Sequence, residues 1–144
     1  MPLLTLLTTR GQIHQAGGLN WGLNLRNHTR PFDAYIPLHI GTIRNNPGFF
    51  PPKQQRQQLL TFEWDDGTIM QGLFEGSQTD RVTGVVYPKQ ISSTPHKDIL
   101  GIYLRNRLGV RGNRAITLND LTRYGRTNIE ITRIGRNRYR LDFA

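Results

Sequence analysis

The feature that most constrains this chain is a pair of hairpin patterns, in which apolar side chains alternate on both sides of a short turn. The first spans Leu59–Trp64 and Thr68–Phe74 around Asp65-Asp66-Gly67, and Asp-Gly between two apolar runs is a strong turn signal. The second spans residues 129–143 around Gly135-Arg136-Asn137. Alternation with a period of two predicts strands with one buried and one solvated face.

Three shorter apolar runs predict further strands, at residues 3–9, Asp33–Ile40 and Val82–Ile91. Pro37 has no N–H to donate to a neighbouring strand, so it predicts an edge strand or a bend. The run at the start of the chain lacks the basic segment and cleavage site of a signal peptide. We therefore interpret it as a first strand.

Two helical patterns interrupt the strands. The first covers about Pro95–Leu108, with Thr94 as its predicted N-cap and a proline in the first helical position. The second covers Leu118–Tyr124, and Thr117 and Asp120 have the spacing of a capping box. A glycine follows each helix and is expected to end it, at Gly109 and Gly125.

Mostly antiparallel strands with two short helices predict a mainly β (α+β) fold, a small barrel whose ends are plugged by the helices. The 144 residues predict one domain over residues 1–144. The chain has no cysteine, which excludes disulfides, cysteine–zinc sites and thiol nucleophiles. No apolar stretch has the length of a membrane span, and we expect a cytoplasmic protein.

The formal net charge is +9, and only Lys53, Lys89 and Lys97 of the 19 basic residues are lysines. Arginine grips phosphates and guanine edges bidentately, which lysine cannot do. A basic excess dominated by arginine therefore favours a nucleic acid as partner over a merely solvated surface. Residues 73–144 carry 13 basic and 6 acidic residues, so this half is predicted to hold more of the phosphate-facing surface.

Two polar segments have no clear periodicity, at residues 10–33 and 75–84. A long irregular segment in a compact domain is usually functional or disordered. The first contains the asparagine, arginine and aspartate side chains that read base edges, and Trp21 argues against disorder. The second could also be a plain hairpin loop.

Motifs for catalysis and for cofactors are absent. The four histidines are scattered, without metal-ligand spacing, at His14, His28, His39 and His96. Asp65-Asp66 belongs to a turn, and no Glu/Gln-x-Lys follows it as metal-dependent nucleases require. His96-Lys97-Asp98 lacks the spacing of a phospholipase-D-like triplet. We therefore expect no catalytic residues, no metal and no cofactor.

Several segments occur in this order: GLNWG (18–22), DAYIPL (33–38), GFFPP (48–52), DDG (65–67), ILGIYLRNRLGV (99–110), DLTRYGRTNIEI (120–131) and YRLDF (139–143). Together they resemble the DNA-recognition domain of NgoFVII-type restriction endonucleases. The resemblance covers nearly the whole chain. It implies a seven-stranded open DNA-binding pseudobarrel, as in the EcoRII-type effector domain and plant B-three domains.

The resemblance also implies two arms that enter the major groove of double-stranded DNA, at about Asn20–Arg30 and Ser77–Arg81. The predicted DNA-binding residues are Asn20, Trp21, Asn24, Arg26, Asn27, His28, Arg30, Ser77, Gln78, Thr79, Asp80, Arg81 and Arg126. Trp21 is expected to anchor its loop in either case. Loss of Arg26 or Arg81 should reduce sequence specificity, whereas loss of Arg126 should weaken binding to all sequences evenly.

Three alternatives remain open from the residues alone: a complete small nuclease, an RNA-binding module, and a sequence-blind basic domain of a larger assembly. The chain lacks the aromatic signature of an RRM and the GXXG of a KH domain, and A-form RNA hides its major groove. The preferred prediction is sequence-specific recognition of duplex DNA. A nuclease domain in the parent protein is its expected partner, and we expect the isolated domain to be monomeric.

Overall fold

A computed structural model describes residues 1–24 and 29–144 as a twisted sheet with three short α-helices. The strands are β1 (Leu3–Thr5), β2 (Ile36–Pro37), β3 (Leu60–Trp64), β4 (Ile69–Glu75), β5 (Gln78–Thr79), β6 (Val86–Tyr87), β7 (Gln90–Ser93), β8 (Asn128–Gly135) and β9 (Arg138–Asp142). The helices are α1 (Ile40–Asn45), α2 (Asp98–Leu108) and α3 (Leu118–Tyr124), and a 3₁₀ helix covers Gly18–Leu23. Within the described ranges, no helix is both long and apolar enough to cross a membrane.

Seven strands form one sheet in the order β1-β8-β9-β3-β4-β7-β2, and β5 and β6 pair separately. All neighbours in the large sheet are antiparallel except β3 and β9. The edge strands β1 and β2 approach each other, and the His39 ring lies 2.9 Å from the carbonyl of Leu7 across this seam. The sheet is therefore a nearly closed barrel, which confirms the predicted pseudobarrel.

The core fills this barrel. Trp64 and Phe62 on β3 and Phe143 after β9 are its largest buried side chains. The alternation predicted for β8 and β9 is confirmed, because Ile129, Ile131 and the apolar residues of β9 point inward while Arg138 and Arg140 are exposed.

Both predicted hairpins are confirmed. Phe62 pairs with Met70 across the Asp65-Asp66-Gly67 turn, and Ile131 pairs with Leu141 across the second turn, after a register shift near Gly135. The edge position predicted from Pro37 is also confirmed, since β2 ends the strand order.

Three strand predictions were too long. The run at 3–9 is a strand only over β1, and the Asp33–Ile40 run is a strand only over β2 before the unpredicted helix α1. The predicted strand Val82–Ile91 is interrupted because Gly84 has φ +76° in a turn and Pro88 separates β6 from β7.

Helix α3 has the predicted limits, and its capping box is present: the Thr117 hydroxyl accepts from the Asp120 N–H, and the Asp120 carboxylate accepts from the Thr117 N–H. Helix α2 begins three residues later than predicted, at Asp98. The predicted cap was wrong, because the hydroxyl of Ser93, not of Thr94, accepts from the Leu100 N–H at 3.0 Å. Gly109 and Gly125 end the helices in left-handed conformation, as predicted.

The strand directions give the barrel two distinct ends. β1 ends and β2 begins at one end, where α2 and α3 also connect β7 to β8; we call this the helical end. β4 ends and β7 begins at the other, where the β8–β9 turn also lies; we call this the hairpin end. The two predicted arms therefore leave the sheet from opposite ends.

Candidate nucleic-acid interface

The predicted second arm is a small hairpin at the hairpin end, which we call the C-terminal arm (residues 76–87). Gln78 pairs with Tyr87 and Thr79 with Val86, so strands β5 and β6 form its stem. Its tip is tight, because the Asp80 N–H donates to the Val85 carbonyl at 2.8 Å and the Gly84 N–H donates to the Asp80 carbonyl at 2.7 Å. The arm is thus longer than the predicted Ser77–Arg81.

Two predicted base-reading residues hold this arm in place. The Gln78 amide donates to the carbonyls of Leu38 and Pro88 at 2.6 and 2.8 Å. The Asp80 carboxylate is buried and accepts from the Arg44 guanidinium at 2.7 Å and from the Val82 N–H at 3.0 Å. The bond from Arg44 keeps the pKa of Asp80 below its ordinary value.

The outward side of the arm carries the residues that remain accessible. Ser77, Thr79 and Arg81 are exposed, although the Ser77 hydroxyl also accepts from the Lys53 ammonium at 2.6 Å. Sequence reasoning missed Val82 and Thr83, which are exposed at the tip, with Val82 at 81%. The Thr83-Gly84 pair was the available turn signal, and the apolar run that follows it obscured this signal.

The predicted first arm begins with the 3₁₀ helix, which is fixed to the fold. Asn20 is only 1% exposed, and its amide donates to the carbonyls of His14 and Ile116 and accepts from the Ile116 N–H. All of these partners are backbone groups of the fold. The structure therefore gives Asn20 a structural position in place of the predicted base contact.

Trp21 anchors this segment, as expected, through an edge-on contact with the Tyr35 ring at 5.2 Å. The Asn24 N–H donates to the Trp21 carbonyl, and the Asn24 carbonyl accepts from the Thr29 hydroxyl at 3.0 Å. The predicted residues Arg26, Asn27 and His28 lie outside the described residues.

The segment returns to the barrel at Arg30. The Arg30 N–H donates to the Asp33 carboxylate at 2.9 Å, and the exposed guanidinium lies 3.3 Å from the His96 ring. The returning backbone is tightly packed, because a side chain at Gly22 would approach the Asp33 N atom to 2.8 Å. We call the stretch from Gly18 to Asp33 the N-terminal arm.

A compact turn over Thr8–Gln12 was not predicted. The Thr8 hydroxyl accepts from the Arg10 and Gln12 N–H groups at 3.2 Å, and the Thr8 N–H donates to the Gln12 carbonyl at 2.7 Å. Gly11 has φ +73°, and the side chains of Arg10 and Gln12 are exposed. The Thr-x-x-Gly spacing was the available signal for this turn. It was missed because the first strand was predicted to continue to residue 9.

An open cleft of about 600 Å³ follows the seam between β1 and β2. It joins this turn to the C-terminal arm, because Thr8 and Thr9 line one side and Gln78 and Lys89 the other. Its floor includes His39, and hydroxyl and amide groups supply most of the remaining polarity. No described residue that lines it is acidic, so the cleft suits an anionic ligand.

Two arginines at the helical end are bonded to groups of the fold. Arg126 was predicted to contact DNA, but its guanidinium donates to the Asn128 side chain at 2.7 Å and the Ala144 carbonyl at 3.1 Å. Arg105 is buried and donates to the carbonyls of Gly112 and Arg114. These bonds hold the arginines within the fold.

The model of one protein family matches residues 3–135 of this chain. The chain belongs to the NgoFVII C-terminal B3-like DNA-binding domain family. The match includes both arms, the cleft and both helices that close the helical end. Among curated proteins, none matches this chain. Within the described ranges of this B3-like domain, no three His, Asp or Glu side chains are grouped so that they could hold a metal ion.

Proposed function

We propose that this B3-like domain recognises a short sequence in double-stranded DNA and is the target-recognition part of a restriction endonuclease. The cleft carries the proposal, since it is lined without acids and joins the Thr8–Gln12 turn to the C-terminal arm. The parent enzyme of this domain would supply the nuclease domain and would act on DNA in the cytoplasm. The domain itself would bind as a monomer to an asymmetric site.

The two arms would enter the major groove from opposite ends of the barrel, with the C-terminal arm beside the cleft. The C-terminal arm would read bases with Thr79, Arg81 and the exposed tip, where an arginine can bond guanine and Val82 can contact a thymine methyl group. Gln78 and Asp80 would fix the angle of this arm. Readout of this kind depends on rigid supports, because side chains must meet base edges in a fixed register.

The N-terminal arm would contribute Arg30 and the predicted residues Arg26, Asn27 and His28, and the Thr8–Gln12 turn would add Arg10 and Gln12. Phosphate contacts would set the register and make the affinity depend on salt. The B3-like fold thus supplies a common frame, while the exposed side chains of the arms supply the sequence preference.

The test is selection of bound duplexes from a randomised DNA pool at near-physiological salt. We expect enrichment of one short motif. Arg81→Ala should then lower discrimination against mismatched sites by about 1–3 kcal/mol, the usual contribution of a bidentate base contact. Arg111→Ala is the matched control, because Arg111 is exposed but lies between α2 and α3.

Three results would contradict the proposal. Absence of any enriched motif, with binding that only fades as salt rises, would indicate a sequence-blind basic domain. Equal losses on the selected and a scrambled duplex for Arg81→Ala would remove the C-terminal arm from base reading. Preference for duplex RNA in a competition experiment would indicate the RNA-binding alternative.

A further inference from the structure

A second pocket lies at the hairpin end, beside the C-terminal arm and outside the cleft. It has a volume of about 200 Å³ and is partly enclosed. The segment 48–58 forms one wall, and β4 and the β8–β9 hairpin form the others. Cavities of about 150 Å³ hold one benzene ring, so this pocket has room for a single planar heterocycle.

Aromatic rings line the pocket. Phe49, Phe74 and Tyr139 all border it, and the Tyr139 ring lies 6.0 Å from Phe49 and 5.4 Å from Phe74 between centroids. Pro51 and Pro52 extend this apolar wall. Rings in such clusters provide faces and edges on which a nucleobase can stack.

Polar groups complete the pocket. Lys53, Arg56 and Arg133 lie on its border, and no described residue that lines it is acidic. Tyr139, which is only 4% exposed, also borders the pocket. An aromatic interior with a cationic border matches a ligand in which a planar ring is joined to an anionic group.

The pocket is attached to the arm that is proposed to enter the DNA. The Lys53 ammonium donates to the Gly76 carbonyl at 3.0 Å and to the Ser77 hydroxyl at 2.6 Å, and the Lys53 N–H donates to the Val86 carbonyl. A nucleotide at the edge of the bound site would thus be close to the pocket opening.

We propose that this pocket takes one unstacked nucleobase, with its phosphate held by Arg56, Arg133 and Lys53. The proposal rests on the proposed function for the delivery of DNA to this end of the barrel. In this role the domain would sense an unpaired or extruded nucleotide next to its recognition site. Extraction of a base is least costly where the base is already unpaired.

The experiment compares the selected duplex with the same duplex carrying one bulged 2-aminopurine at each flanking position in turn. We expect one position to bind about tenfold more tightly than the intact duplex, as stacking of a single base can provide. We also expect its fluorescence to change on binding. The double variant Arg56→Gln/Arg133→Gln should abolish this preference and leave binding of the intact duplex within about twofold.

Arg136→Gln is the matched control, because Arg136 is exposed in the β8–β9 turn and does not line the pocket. Tyr139→Phe keeps the ring and tests the hydroxyl, and thermal unfolding shows whether each variant is folded. Equal binding of bulged and intact duplexes at every position would overturn the pocket proposal while leaving sequence recognition intact. A preference for the bulge without an enriched motif would instead retain the pocket and overturn the proposed specificity.

Discussion

Helix α2 and the C-terminal arm use arginine in opposite ways. On α2, Arg105 and Arg107 are largely buried and bonded to groups of the fold. On the C-terminal arm, Arg81 is exposed. The excess of positive charge in residues 73–144 therefore overstates the charge available to phosphates, because part of it neutralises buried carboxylates. Charge along a sequence indicates a basic domain, but only burial shows which cations can meet DNA.

The helical end is organised around Arg107. Its guanidinium donates two bonds to the Asp65 carboxylate, at 2.7 and 2.9 Å, and one to the Tyr124 hydroxyl at 2.8 Å. Asp65 also accepts from the Phe143 N–H at 2.8 Å. Because Arg107 bonds its carboxylate, the pKa of Asp65 lies below its ordinary value. One ion pair thus joins α2, α3, the first hairpin turn and the end of the chain.

The largest effect we predict is that of Arg107→Ala. It would leave the Asp65 carboxylate, 10% exposed, without its cation, and breaking a buried pair in this way costs about 3–5 kcal/mol. Urea unfolding would measure the loss. The control Arg111→Ala should stay within about 0.5 kcal/mol.

A loss below about 1 kcal/mol for Arg107→Ala would show that the pair is no more than an ordinary surface contact. The comparison of α2 with the C-terminal arm further requires that the folded variant retain its DNA sequence preference. A changed motif in the pool selection would mean that α2 also takes part in recognition.

The second largest predicted effect concerns the contact between helix α2 and the N-terminal arm. Gly101 on α2 lies against the returning N-terminal arm, and a Cβ there would be 1.6 Å from the Phe32 carbonyl oxygen. Phe32 itself has φ +72°, and its ring lies 5.5 Å from the Arg105 guanidinium. Gly101→Ala should cost about 1–3 kcal/mol, as overpacking does, and should displace residues 31–33.

Because residues 31–33 belong to the N-terminal arm, we expect Gly101→Ala to weaken binding of the selected duplex. We also expect it to lower the thermal stability. Asn106→Ala on the same helix is the control, since Asn106 is exposed. If Gly101→Ala changed stability alone, the N-terminal arm would be independent of α2.

Sequence patterns predicted the elements whose own residues determine them. The β3–β4 hairpin, the β8–β9 alternation and the capped helix α3 follow from local turn chemistry and periodicity. Helix α1 could not be predicted in this way, since it has only six residues, includes Gly41, and is held by burial of Ile43 against the core. Tertiary packing overrides weak propensity in such short helices.

The candidate site remains a prediction, and only the local structure of its segments can be compared with the sequence. The two irregular segments contain the 3₁₀ helix at Gly18–Leu23 and the β5–β6 hairpin. Which polar residues face outward depended on distant partners that the sequence does not reveal, such as Ile116 for Asn20 and Arg44 for Asp80. Residue type alone therefore did not distinguish the buried polar side chains that support the fold from the exposed ones.

The third effect is a dependence of stability on pH. The Arg114 guanidinium bonds the Asp120 carboxylate and lowers its pKa below the ordinary value of 3.8. A folded-state pKa below that of the unfolded chain stabilises the protein at higher pH, and this contribution is lost as the pH falls below about 4. The unfolding free energy should therefore decrease in acid.

Asp120→Asn should flatten the acid part of this profile and cost on the order of 1 kcal/mol at neutral pH, because Arg114 is half exposed. Urea unfolding between neutral pH and acid would measure both quantities. Glu130→Gln is a suitable control, since Glu130 lies on β8 outside this ion pair. An unchanged acid slope for Asp120→Asn would assign the acid sensitivity to other carboxylates with a lowered pKa, such as Asp65 and Asp80.

The smallest effect concerns Arg126, which was predicted to bind DNA outside the two arms. Arg126 lies at the helical end and is already bonded to Asn128 and the Ala144 carbonyl, with Asp142 at 3.6 Å. If it contacts phosphate as well, Arg126→Ala should weaken binding to all duplexes evenly and reduce the salt dependence by about one phosphate contact. If its role is confined to the fold, the salt slope stays unchanged and stability falls by less than about 1 kcal/mol.

Titrations of the selected and scrambled duplexes at several salt concentrations separate these results. Arg81→Ala is measured in the same way as the variant expected to lose discrimination. An unchanged slope would restrict the predicted contacts to the arms and the cleft, and would leave α2, α3 and Arg126 as support of the fold.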